Sequence, residues 1–395
     1  MSNVKLNMLI ATPALLMAIY WGMVKVALPV LPQLSSYLHV SSRHIQQVFS
    51  YAFILSGIFP IIWGPVIDRV GVKKFSLAAG ICFILVGIIL ALTANIYLFG
   101  VAFITACVLA SAFVVIARTF PMLYFKERET IKRSLSFALF GGFLAAWLSP
   151  LISGYVAEYI HWKLIFYLLP ILMFLSIWMI FLLPKPVVAV EKRHIFTSVQ
   201  SIYHHLRLAS FRRHVVLLAC YAAFAQSVVV SIPFWLVEIY HLKSSMVAYL
   251  LLPMLVPGIF SPLLNKILSK FNTRFTLFLN LGLFLLAGII AIILPFLGEL
   301  SVWCWVLPGV LVNFNIAIAY PISGVLGYRD IKTQLNSASA LISLAVYASG
   351  GVMIFISSFI SIHSFYIYGM LILLTGIVAS TCTCKEAREL CQPVH

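Results

Sequence analysis

The sequence predicts an all-α membrane protein of twelve transmembrane helices in two six-helix halves, with both termini on the cytoplasmic side. Three observations predict it. Of 395 residues, 63% are hydrophobic and 9% charged, against about 45–50% and about 25% in soluble domains; mean hydropathy is +1.09. Basic residues are divided unevenly between alternate loops. A short motif recurs half a chain apart. The composition excludes a soluble enzyme, a secreted disulfide scaffold and a disordered chain.

One span needs about 20 apolar residues, and 63% of 395 is about 249 residues, enough for around twelve spans. The apolar runs are 8–31, 46–67, 75–94, 97–122, 134–157, 164–183, 215–239, 246–268, 275–295, 300–325, 335–360 and 364–382. Met1 to Lys5 leads straight into the first run without a small-residue cleavage site, so this run reads as a first helix rather than a removed signal peptide.

An even number of spans places both termini on one side. With that side inside, the inner segments hold 21 of the 26 Lys and Arg residues, and the outer segments only Arg43, Lys163 and Lys243. Lys25 and Arg118 fall within apolar runs. Basic loops stay on the cytoplasmic side. The net charge of +16 is therefore read as a topology signal, and no nucleic-acid partner is expected.

The organisation that follows is an N-terminal half (1–183), a basic linker (184–214), a C-terminal half (215–382) and a cytoplasmic tail (383–395). The linker carries six basic residues and His194, His204, His205 and His214; it reads as a solvated segment lying against anionic lipid. Cys82, Cys107, Cys220 and Cys304 lie in apolar runs and read as packing residues. Cys382, Cys384, Cys391 and His395 lack a paired C-x-x-C, so no metal site and no cofactor are expected.

Gly64-Pro65-Val66-Ile67-Asp68-Arg69-Val70 recurs as Ser261-Pro262-Leu263-Leu264-Asn265-Lys266-Ile267, at an offset of 197. Each copy ends the second span of its half. Two parallel repeats imply a cavity between the halves near the midplane, the architecture of a carrier that alternates between two openings. No filter-like loop suggests a channel.

The stretch from Gly64 through Asp68, Arg69 and Gly71 to Lys73 and Lys74 resembles the major facilitator signature G-x-x-x-D-R-x-G-r-[KR] between the second and third helices. Gly71 suits a tight turn. Asp68 can pair with Arg69 or other inner-surface bases, as a latch on an inner gate. Further stretches resemble the twelve-helix drug/proton antiporter family, in its bicyclomycin/chloramphenicol-resistance branch. These are Leu28-Pro29-Val30-Leu31-Pro32, Ala117-Arg118, Ser149-Pro150 through Ser153-Gly154, Glu158 through Trp162 to Phe166, and Ser231-Ile232-Pro233-Phe234 with Glu238. The resemblance implies the major facilitator fold, a bacterial inner-membrane location, a small-molecule substrate, drug efflux and proton antiport.

Three positions depart from that branch. Its embedded acid, four residues before the first Pro of L-P-x-L-P, is here Lys25. The start of the fourth helix has Thr105 through Leu109 and no Arg. The fifth-helix glycines are partly Ser. No acid falls at mid-membrane, and Glu238, near an outer end, is the nearest candidate for proton coupling.

Lys25 is either an anion-attracting group in the cavity or a side chain that snorkels outward. Arg118 has the same two readings towards the inner side. Tyr20, Gln226 and Asn313 are further candidates for the cavity, with helix–helix amide contacts as the alternative for the amides. Asn313 and Asn315 cannot share one helix face. The expected function is export of a small molecule by alternating access. The family points to drug efflux, and the residues to an anionic cargo such as a polycarboxylate or a siderophore. The alternatives are a proton-coupled uptake carrier for an organic anion and a membrane receptor that no longer transports. A monomer in contact with membrane lipid is expected, with no enzymatic constellation.

Overall fold

The computed structural model describes residues 3–181, 204–294, 301–327, 329, 331, 335–360 and 365–390. Every regular element among them is helical. This is what a lipid environment demands, because a helix satisfies its own backbone without water.

Unit one of the chain comprises Met1–Ser41, Ile58–Thr197 and Lys243–Ala248; unit two comprises Ser42–Gly57, Ser198–Leu242 and Tyr249–His395. The helices are α1 (Asn3–Val26), α2 (Leu31–Tyr37), α3 (Ser42–Ile58), α4 (Pro60–Val70), α5 (Val72–Leu92), α6 (Ile96–Tyr124), α7 (Arg128–Val156) and α8 (Ile165–Phe181). They continue as α9 (Ala209–Tyr240), α10 (Ser244–Leu268), α11 (Thr273–Ile293), α12 (Trp303–Leu326), α13 (Leu335–Ser357) and α14 (Phe365–Glu389).

Ten helical stretches are long and apolar enough to cross a membrane, and eleven if the bent pair α3–α4 counts as one. One of the ten, Glu129–Phe181, is 53 residues long. At about 1.5 Å per residue it would measure some 80 Å if straight, well over twice the apolar thickness of about 30 Å. It is interrupted by a π-helical turn (Ala157–His161) and a 3-10 turn (Trp162–Leu164), and α7 and α8 on either side both pack on α1.

Small residues let helix backbones meet where apolar burial alone supplies no driving force. In unit one a β-carbon on Gly141 of α7 would stand 2.5 Å from the Ala14 carbonyl oxygen of α1. Gly80 and Gly87 of α5 sit against Met173 and Pro170 of α8. In unit two Gly369 of α14 lies 2.7 Å, by the same measure, from the Gly288 carbonyl oxygen of α11. Around these contacts unit two buries a string of rings: Tyr221 and Phe224 against Phe284, Phe224 against Tyr368, and Trp235 against Tyr368 and Trp305. Large exposed side chains such as Leu92, Val101, Phe174, Trp178, Leu374 and Ile377 are apolar, as lipid contact requires.

Polar side chains act locally. Asn95 caps α6 by accepting from the Tyr97 and Leu98 amides at 2.8 and 3.2 Å, and Asn272 caps α11 through the Arg274 amide at 3.0 Å. Within helices, Thr12, Thr105 and Ser176 return their hydroxyls to carbonyls four residues back.

Two helices outrun their apolar sequences. α9 begins at Ala209, before the apolar run at 215, and α14 continues to Glu389, beyond 382. Residues 184–203 of the expected linker lie outside the described residues.

Candidate functional site

In the signature turn, Gly71 joins α4 to α5 single-handed. Its amide donates to the Ile67 carbonyl at 2.8 Å, and its own carbonyl accepts from Phe75 at 3.0 Å. The φ of +90° that allows both suits glycine alone. Gly71→Ala should cost about 1–2 kcal/mol, read as a lower unfolding temperature of the purified protein. Gly64→Ala should leave that temperature unchanged, since nothing lies within 4 Å of a β-carbon built there. Lys73 donates to the Phe181 carbonyl at 2.8 Å and lies 5.4 Å from its ring, placing a cation at the C-terminus of α8. Asp68 is half-buried and Arg69 exposed.

The second copy of the motif is wired differently. Asn265, the counterpart of Asp68, donates to the Ser261 carbonyl at 2.7 Å and to the Ala317 carbonyl of α12 at 3.0 Å. Ser261 donates to that same Ala317 carbonyl at 2.7 Å. In the first copy the bond comes from Trp63, whose indole donates to the Val108 carbonyl of α6 at 3.1 Å. Asn265→Asp exchanges a donor for an acceptor facing a carbonyl. It should cost about 1–3 kcal/mol, and a thermal unfolding curve beside that of Asn265→Ala measures it.

Lys25 sits in the last turn of α1 and is only 4% exposed, so it does not snorkel to a surface. It follows Trp21 by four residues and Gly22 by three, which puts it on their side of the helix. A β-carbon on Gly142 of α7 would fall 2.9 Å from the Trp21 ring, and one on Gly22 would fall 2.9 Å from Leu169 of α8. Lys25 therefore leaves α1 towards α7 and α8. Pro29 offers no N–H to the Lys25 carbonyl, and the chain passes into a 3-10 turn at Leu28–Val30. Ser149 lies seven residues after Gly142, on the same face of α7. Its hydroxyl oxygen is buried with no hydrogen-bond partner among the described residues.

Tyr20 is fully buried, with its ring 5.5 Å from Trp21. Five residues before Lys25, it points about 140° away from it. Arg118 is half-buried in α6. Gln226 and Asn313 belong to unit two. Gln226 is buried in α9 under Gly350 of α13. Asn313 donates to the Gly309 carbonyl of its own helix at 2.8 Å. Asn315 points elsewhere on α12, donating to the Asn280 carbonyl and side-chain oxygens at 2.6 and 3.0 Å, a helix–helix amide contact. Glu238 is exposed near the end of α9.

By the expected bounds Glu386 falls in the cytoplasmic tail (383–395), and His205 and His214 fall in the linker (184–214). The structure corrects both. Glu386 is fully buried on α14. It accepts from Arg213 at 2.8 Å and lies 3.3 Å from Arg329 and 3.4 Å from His214. Glu389 joins Arg213 and Arg329. His214 is buried in α9, its other ring nitrogen 3.2 Å from the Ser323 hydroxyl. His205 is also buried. The partners lie more than a hundred residues apart, so no local pattern announces the cluster.

A sequence model of the Major Facilitator Superfamily matches residues 14–355. The chain belongs to this superfamily. It is thus a multi-pass membrane protein and a secondary transporter, not an enzyme. It is 24% identical over 379 residues to multidrug resistance protein D of Escherichia coli (strain K12), covering 90% of this chain and 89% of the relative. Among solved structures it is similar to a POT peptide transporter in complex with alafosfalin, with a TM-score of 0.75 and 16% identity over 97% of this chain and 95% of the other. The POT family transporter PepTSo gives a TM-score of 0.70 at 12% identity, covering 98% and 99%. At these identities the solved structures speak for the fold alone.

Proposed function

We propose that this chain is a bacterial inner-membrane exporter of small anionic molecules, such as a polycarboxylate or a siderophore, working by alternating access as a monomer. The 53-residue stretch is then two passes, which brings the spans to twelve, with both termini cytoplasmic as the basic loops indicate.

Export rests on the likeness to multidrug resistance protein D. The observation that carries the anionic cargo is the sign of the buried charge. Lys25, a basic side chain in an apolar run, is buried in α1. A charge inside a membrane protein is expensive and marks a substrate or ion path. A buried ammonium offers a carboxylate a charge-assisted donor. Arg118, in the same unit, is proposed to line the cavity with Lys25. Gly64, Asp68, Arg69, Gly71 and Lys73 form the inner gate, and Glu238 passes protons at the outer side.

Ligand-induced stabilisation tests the cargo class. A ligand at 100 times its Kd adds about 2.7 kcal/mol to the folded state. Citrate should raise the unfolding temperature of the purified protein, and the lipophilic cation ethidium should not. The reverse order would overturn the anionic reading.

A further inference from the structure

Within unit two, α11 and α14 pack antiparallel. Gly288 meets Gly369, Leu285 meets Gly376, and Arg274 donates to the Leu390 carbonyl at 3.2 Å. In an antiparallel pair of right-handed helices, residues just after the contact positions turn to one side of the pair, and residues just before them to the other. The two sides differ in burial. Phe284, Ala287 and Tyr368, which precede contacts, are fully buried. Phe275, Leu286, Ile289, Met370 and Ile377, which follow contacts, are 43–61% exposed. An exposed apolar face of this kind meets acyl chains. Gly282, seven residues after Phe275, leaves a gap in it, with nothing within 4 Å of a β-carbon built there.

At one end this face turns basic. Arg388, eleven residues and three turns after Ile377, continues the exposed stripe of α14 and is itself exposed. Arg274 crosses from α11 to the α14 backbone two residues away. Lys270 is exposed in the turn that leads into α11, and Lys385 is exposed on α14. Phe271 and Phe275, with rings 5.3 Å apart, are exposed at the same end. These bases have no carboxylate of their own. The acids of α14, Glu386 and Glu389, are engaged by Arg213 and Arg329, and no Asp or Glu occurs from 239 to 298. Bases above an apolar groove suit a ligand with an anionic head and a long apolar tail. A free phosphate would leave the groove unused.

We infer that the basic end of the α11–α14 face is a binding site for an anionic phospholipid, whose phosphate is held by Lys270, Arg274 and Arg388 and whose acyl chain lies along Phe275, Gly282 and Ile377. The inference rests on the proposed orientation, which puts these helix ends at the cytoplasmic surface, and not on the cargo. Basic pockets between helices on that side recognise such head groups.

The test titrates phosphatidylglycerol into the purified full chain in a neutral detergent and follows the unfolding temperature. Phosphatidylglycerol should raise it. Phosphatidylcholine, which has no net charge, and inorganic phosphate, which has no acyl chain, should not. Each base beside an anionic head is worth about a fivefold gain in affinity, so Lys270→Gln combined with Arg388→Gln should need about 25-fold more lipid for the same rise. Both side chains are exposed, so the double variant keeps its fold. Arg274→Gln should need about fivefold more. Lys126→Gln combined with Arg133→Gln removes the same charge from unit one and should leave the titration unchanged. No rise with phosphatidylglycerol, an equal rise with phosphatidylcholine or phosphate, an unchanged titration in the Lys270 and Arg388 variant, or an equal shift in the unit-one variant would each overturn the inference. Citrate plays no part in the measurement, so a failed lipid site and a failed cargo assignment are told apart.

Discussion

Glu386→Ala lowers folding stability by about 3–5 kcal/mol, the cost of removing one partner from a buried ionic group. Glu386 is fully buried, and its loss would leave Arg213, Arg329 and His214 facing one another at the ends of α9, α12 and α14. Glu389 touches two of the same bases but is 39% exposed, where water screens the charge, so Glu389→Ala should cost less than about 1 kcal/mol. Thermal unfolding of the two variants in the same detergent gives the comparison. Equal losses would mean that Glu386 is not the centre of the cluster. Pairing Glu386→Leu with Arg213→Met should recover part of the loss, because apolar side chains carry no desolvation penalty.

Lys25→Ala should reduce citrate transport about 10–100-fold while the protein reaches the membrane in normal amount. The factor corresponds to one charge-assisted hydrogen bond of about 1.5–3 kcal/mol. Lys25→Arg keeps the charge but not the compact ammonium, and should retain only part of the activity. Transport rates normalised to the protein in the vesicles decide the matter. Full activity in Lys25→Ala would remove the anion site from helix α1.

The fold was legible because its signal is coarse. Runs of some twenty apolar residues leave few alternatives in a membrane, and Gly71 marks its turn through a backbone conformation that only glycine adopts easily. Helix ends were less legible. α9 starts among Ser210, Arg212, Arg213 and His214, and α14 continues through Lys385, Glu386 and Arg388. Polar residues stay helical there because Arg213 and Glu386 meet across 173 positions, which composition and periodicity do not encode.

For the candidate site, Lys25 stood out as a charge in an apolar run, but its direction depended on neighbours. Only the contacts of Trp21 with Gly142 and of Gly22 with Leu169 show that it faces α7 and α8 and parts company with Tyr20. The repeat was visible as seven matching positions, yet Asn265 and Asp68 do different work. One is an amide tied to the Ala317 carbonyl; the other is a half-buried carboxylate beside Arg69. Asp68→Asn should accordingly slow turnover with little change in affinity, measured as a fall in kcat at constant KM for citrate.

The most direct measurement is transport by the purified protein in proteoliposomes under an imposed pH gradient, with citrate and ethidium compared side by side. The account predicts gradient-driven movement of citrate, lost in Lys25→Ala, and none of ethidium. Movement of ethidium alone, unaffected by Lys25→Ala, would contradict it.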